Sequence, residues 1–274
     1  IGTSFDTLER KHSIVNADVL DAWFPPSPKV INTLSEHLPW LLNTSPPTAS
    51  EGMRQEVAGA RGVGAENILP GAGSSDLIYL AFLHWLKSDS RVLLLDPTYG
   101  EYHHILENVI RCKIQRLSLR RANKYAVDLE ELEHLAKENF DLIVLVNPNS
   151  PTGRHIPRHN LEKTLLNVSQ STRIWIDETY VEYAGAGESL ERFATRTPNI
   201  VVCKSMSKVY ALSGVRAAYL CASRQHLSDL IPLTPPWAVS LPAQIAAIRA
   251  LQDPVYYADR YQETHVLRNM LISN

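Results

Sequence analysis

Short runs of apolar residues alternate along this chain with longer stretches of helical periodicity, and this alternation limits the folds that the chain can adopt. The run Leu-Ile-Val-Leu-Val at positions 142–146 offers no polar face to solvent. Strands that are apolar on both faces are covered on both faces, as in a mostly parallel sheet. The predicted strands are Arg91–Leu95, Lys113–Leu119, Asp141–Val146, Arg173–Asp177, Ile200–Lys204 and Ala217–Cys221.

Helical patterns lie between these runs. The predicted helices include Ser74–Lys87, Tyr99–Val109, Asp128–Glu138, Arg158–Val168 and Ser240–Leu251. Strands that alternate with helices predict a layered α/β architecture around a mostly parallel sheet. Because ligands of such folds gather at the carboxyl ends of the strands, polar motifs at those ends are the first candidates for a functional site.

Composition excludes several other classes of protein. The chain has 274 residues, of which 45% are hydrophobic, and a formal net charge of −2, which predicts a large core and no nucleic-acid-binding face. The three cysteines form no CxxC pair, and the adjacent His103 and His104 face different sides of a helix, so we expect no disulfide framework and no metal site. We expect a cytoplasmic protein, since no apolar run could span a membrane and the start of the chain lacks a signal-peptide layout.

The two ends of the chain stand apart from the middle. Residues 1–30 contain the turn-rich segment Phe24-Pro25-Pro26-Ser27-Pro28 and are predicted to form an arm that leads into a helix. Residues 31–250 are predicted to form a large ligand-binding domain. Residues 251–274 are helical in pattern with an unpartnered apolar face, which predicts the beginning of a smaller C-terminal domain inside which the chain stops.

The segment Gly71-Ala72-Gly73-Ser74-Ser75-Asp76 precedes a predicted helix. Small residues let a ligand approach the backbone, and the free N–H groups at a helix start bind anions. Taken alone, a Gly/Ser turn that caps a helix is more often structural. The segment is neither a Walker loop nor a GxGxxG fingerprint, so it does not favour a nucleotide triphosphate or a dinucleotide.

The segment Val202-Cys203-Lys204-Ser205-Met206-Ser207-Lys208 leaves another strand, and Arg216 follows eight residues later. A lysine at a strand end can form a Schiff base when desolvation or a nearby cation lowers its pKa. Ser205, Ser207 and Arg216 could then hold a phosphate. The alternative is a solvated lysine on a loop.

Three further segments end strands. Asp177 in Ile-Asp-Glu-Thr-Tyr could pair with a protonated pyridine nitrogen while Tyr180 donates to a phenolate oxygen, or Asp177 could simply cap a helix. Asn149 or Ser150 in Asn-Pro-Asn-Ser-Pro-Thr-Gly could be a second donor to that oxygen, although the segment also suits a plain turn. Tyr99 could stack on an aromatic ring, or it could pack in the core.

Taken in order, these motifs resemble those of fold-type I pyridoxal-phosphate (PLP)-dependent aminotransferases and, within them, the histidinol-phosphate aminotransferase group, which has threonine-phosphate decarboxylase relatives. The resemblance covers roughly residues 13–274. It rests on the stretches at 26–30, 67–76, 96–100, 147–153 and 177–180 and on Ser-Met-Ser-Lys with Arg216. It implies a three-layer α/β/α sandwich with a mostly parallel central sheet, the cofactor PLP, amino-acid and oxo-acid substrates, and a homodimer.

The resemblance also implies a role for each site residue. Lys208 carries the cofactor as a Schiff base and moves protons at the reacting carbon. Asp177 pairs with the ring nitrogen, Tyr180 binds the phenolate oxygen together with Asn149 or Ser150, and Tyr99 stacks on the ring. The phosphate would be held by Ala72, Gly73, Ser74, Ser205, Ser207 and Arg216.

Four departures from the family pattern concern the substrate half of the site. Ser150 stands where the family usually has Asn, and Asn43-Thr44-Ser45-Pro46 lacks the tyrosine of the usual Arg-Tyr-Pro stretch. The arm reads Leu20-Asp21-Ala22-Trp23-Phe24 in place of Asn-Glu-Asn-Pro. The arginine that grips a substrate carboxylate is expected beyond residue 274.

The leading interpretation is therefore an aminotransferase that moves an amino group between an amino acid and an oxo acid or aldehyde. A decarboxylase, cyclase or lyase acting on an amino acid is the alternative, because these reactions share one electron sink and differ in which Cα bond lies perpendicular to the ring. A non-catalytic PLP-binding regulatory module is the third possibility, and no helix-turn-helix in the sequence supports it.

Overall fold

The computed structural model describes residues 20–185 and 187–273. Seven strands form one sheet in these ranges. The strands are β1 (Ile68–Gly71), β2 (Arg91–Asp96), β3 (Lys113–Ser118), β4 (Leu142–Val146), β5 (Arg173–Asp177), β6 (Ile200–Ser205) and β7 (Ala218–Ala222).

The strand order is β1-β7-β6-β5-β4-β2-β3. All neighbouring pairs are parallel except those of β7, which runs antiparallel to both β1 and β6. Ala218, the first residue of β7, lies opposite Gly71 at the end of β1 and Ser205 at the end of β6. The segment before β7 therefore reaches the same edge of the sheet as the segments that follow the other strands.

Helices connect and cover these strands. They are α1 (Pro28–Asn43), α2 (Glu51–Arg61), α3 (Ser74–Trp85), α4 (Gly100–His103, continued by π-helical turns over His104–Ile110), α5 (Leu129–Leu135), α6 (Arg158–Leu165), α7 (Val181–Ala184), α8 (Glu191–Ala194), α9 (Arg224–Ser228), α10 (Leu241–Leu251) and α11 (Pro254–Ser273). No helix in the described part of the chain is long and apolar enough to cross a membrane.

Alternate residues of each strand pack into two separate cores. In β5, Ile174 and Ile176 join one apolar cluster with residues of α1, α2, α6 and α10, whereas Trp175 joins a second cluster with residues of α3. Because side chains alternate across a strand, the two clusters lie on opposite faces of the sheet. The fold is thus a three-layer α/β/α sandwich, which confirms the predicted class.

All six predicted strands are present, with ends within one residue of the prediction. Strand β1 was not predicted, because Ile-Leu-Pro-Gly is short and contains two residues that weaken a strand. The helix predicted over 99–109 is a four-residue α-helix followed by π-helical turns.

The N-terminal arm is described only from Leu20 onward, so most of its predicted length lies outside the described residues. Within the described part, Phe24 is buried, and Trp23 donates from Nε1 to Thr264 Oγ1 of α11 at 2.9 Å. The division of the chain into an arm, a large domain and the beginning of a smaller domain stays a prediction.

A charged cluster is buried beside the sheet. Lys204 Nζ lies 2.7 Å from Glu182 Oε1 and 3.8 Å from Glu178 Oε2, and the Lys204 side chain is only 1% exposed. Arg61 also bonds Glu182, at 3.0 Å. Burial raises the pKa of Glu178 to about 7, although Lys204 opposes the shift. Burial lowers the pKa of Lys204, but Glu182 and the other carboxylates raise it, so that this pKa lies above the ordinary value for a lysine. Lys204 and Arg61 together therefore balance the charge of these carboxylates.

We expect Lys204→Met to lower the free energy of unfolding by about 3–5 kcal/mol, because it removes the buried cation that pairs with both Glu178 and Glu182. Urea denaturation at pH 7.5 measures this value. The exposed Lys163 on α6 is the matched control, and Lys163→Met should change the stability by no more than about 0.5 kcal/mol. Equal stability of the two variants would contradict this account of the cluster.

Candidate active site

A cavity of about 260 Å³ opens at the edge of the sheet where the strand ends converge. Segments that follow β1, β2, β4, β5 and β6, the segment before β7 and the arm all contribute to its wall. The lining residues are Asp21, Ser74, Ser75, Tyr99, Val146, Ser150, Asp177, Thr179, Tyr180, Ser205, Ser207, Lys208, Ser213 and Arg216. Eight of the eleven residues predicted to form the site are among them, although they are spread over more than 140 positions of the sequence.

Lys208 lies three residues beyond the end of β6, and its side chain is 20% exposed. Its Nζ donates to Asp21 Oδ1 at 2.9 Å, and the hydroxyl of Ser213 donates to the same oxygen at 2.7 Å. These two hydrogen bonds lower the pKa of Asp21, so that its carboxylate is an anion at neutral pH. The arm therefore brings a negative charge onto the lysine, a contact that sequence reasoning missed.

Asp177 ends the central strand β5 and is 3% exposed. The backbone N–H and the hydroxyl of Thr179 both donate to its Oδ1, at 2.9 and 2.6 Å, and the hydroxyl of Tyr102 donates to its Oδ2 at 2.8 Å. Burial raises the pKa of Asp177, and the hydrogen bonds from Thr179 and Tyr102 oppose that shift. A buried carboxylate of this kind favours a cation in the cavity.

Tyr99 and Tyr180 contribute phenol groups to the cavity wall. Burial, with smaller contributions from nearby acidic groups, raises the pKa of each hydroxyl to about 12. Both hydroxyls are therefore protonated at neutral pH, and that of Tyr99 forms a hydrogen bond with Glu101. Tyr99 is 42% exposed, which leaves an aromatic surface accessible from the cavity.

Another group of residues in the cavity wall is suited to an anion. Ser74 and Ser75 begin α3, so the free N–H groups of a twelve-residue helix meet the hydroxyls of Ser205 and Ser207 and the guanidinium of Arg216 there. Gly73 precedes the helix with φ +96°, and a Cβ at this position would lie 2.3 Å from Nη2 of Arg216. A side chain at this position would be strained by the positive φ and would push the guanidinium aside.

Three predicted residues do not line this cavity. Asn149 is buried, where its side chain donates to Pro97 O at 3.0 Å and accepts from Thr98 Oγ1 at 2.9 Å. Its neighbour Ser150 lines the cavity instead. The N–H of Ala72 donates to Asp76 Oδ2 at 2.9 Å, and Gly73 contributes space for Arg216.

Sequence reasoning also missed Thr179 and Tyr102. Thr179 offered one signal, since an Asp two residues before a threonine commonly accepts from its N–H in a local turn. Tyr102 offered only its position, three residues after Tyr99.

A second cavity of about 410 Å³ adjoins the first, and the two share Ser150 and Tyr180. Its wall includes His155 after β4, Tyr183 of α7, and His265 and Arg268 of α11. Burial lowers the pKa of His155, although Glu188 opposes the shift. The cavity combines aromatic and apolar surface with groups that can bind an anion.

The residues of the first cavity fit PLP. The buried carboxylate suits the protonated ring nitrogen, the serines with Arg216 and the start of α3 suit the phosphate, and a lysine amine lines the same cavity. Because Gly73 has no side chain, the Arg216 guanidinium can lie against the start of α3, beside the N–H groups that would bind an anion. Together the fold and the cavity define a PLP-dependent enzyme of the aminotransferase type.

Comparison with known proteins identifies the family. The sequence model for class I and II aminotransferases matches residues 20–273, and the chain belongs to this family of PLP-dependent aminotransferases. A histidinol-phosphate aminotransferase of Carboxydothermus hydrogenoformans is 27% identical over 96% of this chain and 73% of its own length. Among solved structures, histidinol-phosphate aminotransferase of Sinorhizobium meliloti with PLP has a TM-score of 0.84 at 20% identity, and the match covers 96% of this chain and 71% of that chain. L-threonine-O-3-phosphate decarboxylase of Porphyromonas gingivalis has a TM-score of 0.73 at 24% identity, and the match covers 86% of this chain and 72% of that chain. At such identities the structural likeness establishes the fold.

We expect Gly73→Ala to weaken PLP binding by about tenfold or more, because the new methyl group displaces the guanidinium of Arg216 from the anion site. Absorbance titration with PLP measures the affinity. Gly62 is the matched control, since it has φ +65° and a Cβ at this position would lie 2.5 Å from Nη2 of Arg192, outside the cavity. Gly62→Ala should lose stability but keep its PLP affinity, and the interpretation is wrong if the two variants bind PLP equally well.

Proposed function

We propose that this aminotransferase holds PLP in the first cavity and that Lys208 is the amine that binds the cofactor covalently. The observation that carries this proposal is the convergence of Lys208, Asp177 and Arg216 on one cavity from three separate strands. Each of these side chains alone has an ordinary structural explanation. A lysine that shares a cavity with a buried carboxylate and an anion site has a specific chemical use.

The residues around the cavity would hold the cofactor at both ends. We propose that Asp177 faces the ring nitrogen, that Tyr99 packs against the ring, and that Tyr180 and Ser150 donate toward the phenolate oxygen. Ser74, Ser205, Ser207 and Arg216 would bind the phosphate, with Ala72 and Gly73 forming the backbone turn that precedes Ser74. Asn149 would support this site through Pro97 and Thr98.

When bound, PLP supplies an electron sink that stabilises negative charge at the substrate Cα. The protein's part in that chemistry is to place and move a proton. Lys208 Nζ is the group on the cavity wall with the reach and basicity to take a proton from Cα and return it. Asp21 would orient this amine through the hydrogen bond that it accepts from Nζ.

We propose that the second cavity receives the substrate side chain. The guanidinium of Arg268 lines it and carries a positive charge, so the cavity suits a substrate with an anionic group. Several relatives are named histidinol-phosphate aminotransferases, which makes a phosphorylated amine one candidate substrate. The presence of Asp21 and the absence of the usual tyrosine near Ser45 favour a substrate that differs from histidinol phosphate.

A reaction other than transamination remains the alternative. The likeness to a threonine-phosphate decarboxylase structure supports it, since transamination and decarboxylation share the cofactor site. The two reactions differ in the substrate orientation that the second cavity imposes.

We further propose a cytoplasmic homodimer. Cys112, Cys203 and Cys221 are free thiols, which suits a reducing compartment. Helix α1 exposes Ile31, Leu38 and Leu42 on one face, and a second subunit could cover this apolar surface. Residues 31–250 would form the PLP-binding domain, and residues 251–274 would lead into a smaller one.

The covalent role of Lys208 is tested by borohydride reduction. Wild-type protein incubated with PLP and then reduced should carry the cofactor on Lys208, as peptide mass spectrometry will show. Lys208→Ala should not be labelled, because it lacks the amine. Its rate of transamination should fall by at least about a thousandfold, because it also lacks the proton carrier. Lys163→Ala, an exposed lysine outside the cavity, should keep both, and substantial turnover by Lys208→Ala would refute the mechanism.

The type of reaction is tested by its products. Amino acids and phosphorylated amines, each supplied with 2-oxoglutarate, should yield glutamate in stoichiometric amounts with the oxo product. Release of carbon dioxide without glutamate would exclude transamination and support the decarboxylase alternative. Wild-type protein reduced with borohydride is the matched blank for both assays.

A further inference from the structure

Tyr102, in the middle of the segment Tyr99–His103, is fully buried directly behind the candidate site. Its hydroxyl donates to Asp177 Oδ2 at 2.8 Å, and Nε1 of Trp175 donates to the hydroxyl oxygen, also at 2.8 Å. Because an indole N–H is a donor only, the tyrosine oxygen must act as its acceptor. The hydroxyl hydrogen of Tyr102 is therefore directed at the carboxylate.

The remaining contacts of this group of residues leave little freedom of movement. Thr179 bonds the other carboxylate oxygen of Asp177 through both its N–H and its hydroxyl. The ring of Tyr102 packs edge-on against Tyr99 and in a tilted contact against Phe82, with ring centroids 6.0 and 5.9 Å apart. Both oxygens of Asp177 thus accept hydrogen bonds from protein donors, and the ring of Tyr102 packs against that of Tyr99.

We propose that Tyr102 is a positioning residue for the PLP site, which holds the Asp177 carboxylate ionised and oriented toward the ring nitrogen of the cofactor. The inference rests on the proposed function, since it assumes that Asp177 meets this nitrogen. Tyr102 touches neither cofactor nor substrate and acts through Asp177, with Trp175 fixing the direction of its hydrogen bond. Removal of the hydroxyl takes away one of the three hydrogen bonds that stabilise the buried anion.

The test compares two cofactors, PLP and its 1-deaza analogue, in which carbon replaces the ring nitrogen. The analogue keeps the aldehyde and the phosphate but offers Asp177 no N–H. In wild-type protein we expect tighter binding of PLP than of the analogue. Tyr102→Phe should weaken PLP binding by about tenfold while the analogue binds almost as before. The pH at which the absorption band of bound PLP changes should also differ between Tyr102→Phe and wild-type protein.

Tyr257→Phe is the matched control. Tyr257 is equally buried, and its hydroxyl is likewise paired, to Ser27 N at 3.1 Å and Tyr210 O at 3.2 Å, away from Asp177. This variant should keep the wild-type ratio of the two affinities. Circular dichroism without cofactor establishes that each variant folds. If Tyr102→Phe does not fold, Trp175→Phe, which removes the donor to Tyr102, should lower the ratio by a smaller factor.

The outcomes separate the inference from the proposed function. If Tyr102→Phe weakens both cofactors equally, or neither, Tyr102 does not act through the ring nitrogen and the inference is wrong. Asp177→Asn is the reference for the proposed function and should abolish the preference for PLP. If Asp177→Asn retains that preference, the assignment of Asp177 fails and the inference fails with it. The inference is supported if Tyr102→Phe lowers the preference for PLP over the analogue, Asp177→Asn abolishes it, and Tyr257→Phe leaves it unchanged.

Discussion

Because helices cover both faces of the sheet, a charged side chain on a central strand reaches a ligand most readily at the end of that strand. In this chain the ends of β1, β2, β4, β5 and β6 lie at one edge, and the reversed strand β7 begins there. The cavity, its lysine and its anion site all depend on this arrangement. Without the reversal of β7, Arg216 would lie at the far edge of the sheet.

The arrangement leaves Asp177 as a buried anion supported by hydrogen bonds. Thr179 and Tyr102 stabilise its charge, whereas the buried cation Lys204 is paired with Glu178 and Glu182. Among the described residues, no cation lies within ion-pair distance of Asp177. A cationic group in the cavity would complete the balance of charge, and this need links the packing of β5 to the chemistry of PLP.

Much of the cofactor half of the site could be predicted, because each residue sits in a motif at a strand end. Lys208, Asp177, Tyr180 and Arg216 were expected there, and all four line the cavity. The contact of Asp21 with Lys208 could not be predicted, since the two residues are 187 positions apart and meet only through the path of the arm. Nor could sequence decide between Asn149 and Ser150, because the answer depends on which side chain the turn directs inward.

Residue order alone was enough to identify six of the seven strands and the class of fold, since apolar runs and helical periodicity are local properties of the chain. Tertiary structure decided what those segments meet. It added the short strand β1, reversed β7, and enclosed Tyr102 between Trp175 and Asp177. These features depend on contacts between distant residues, whose geometry follows from the packing of the sheet and is not encoded in any single motif.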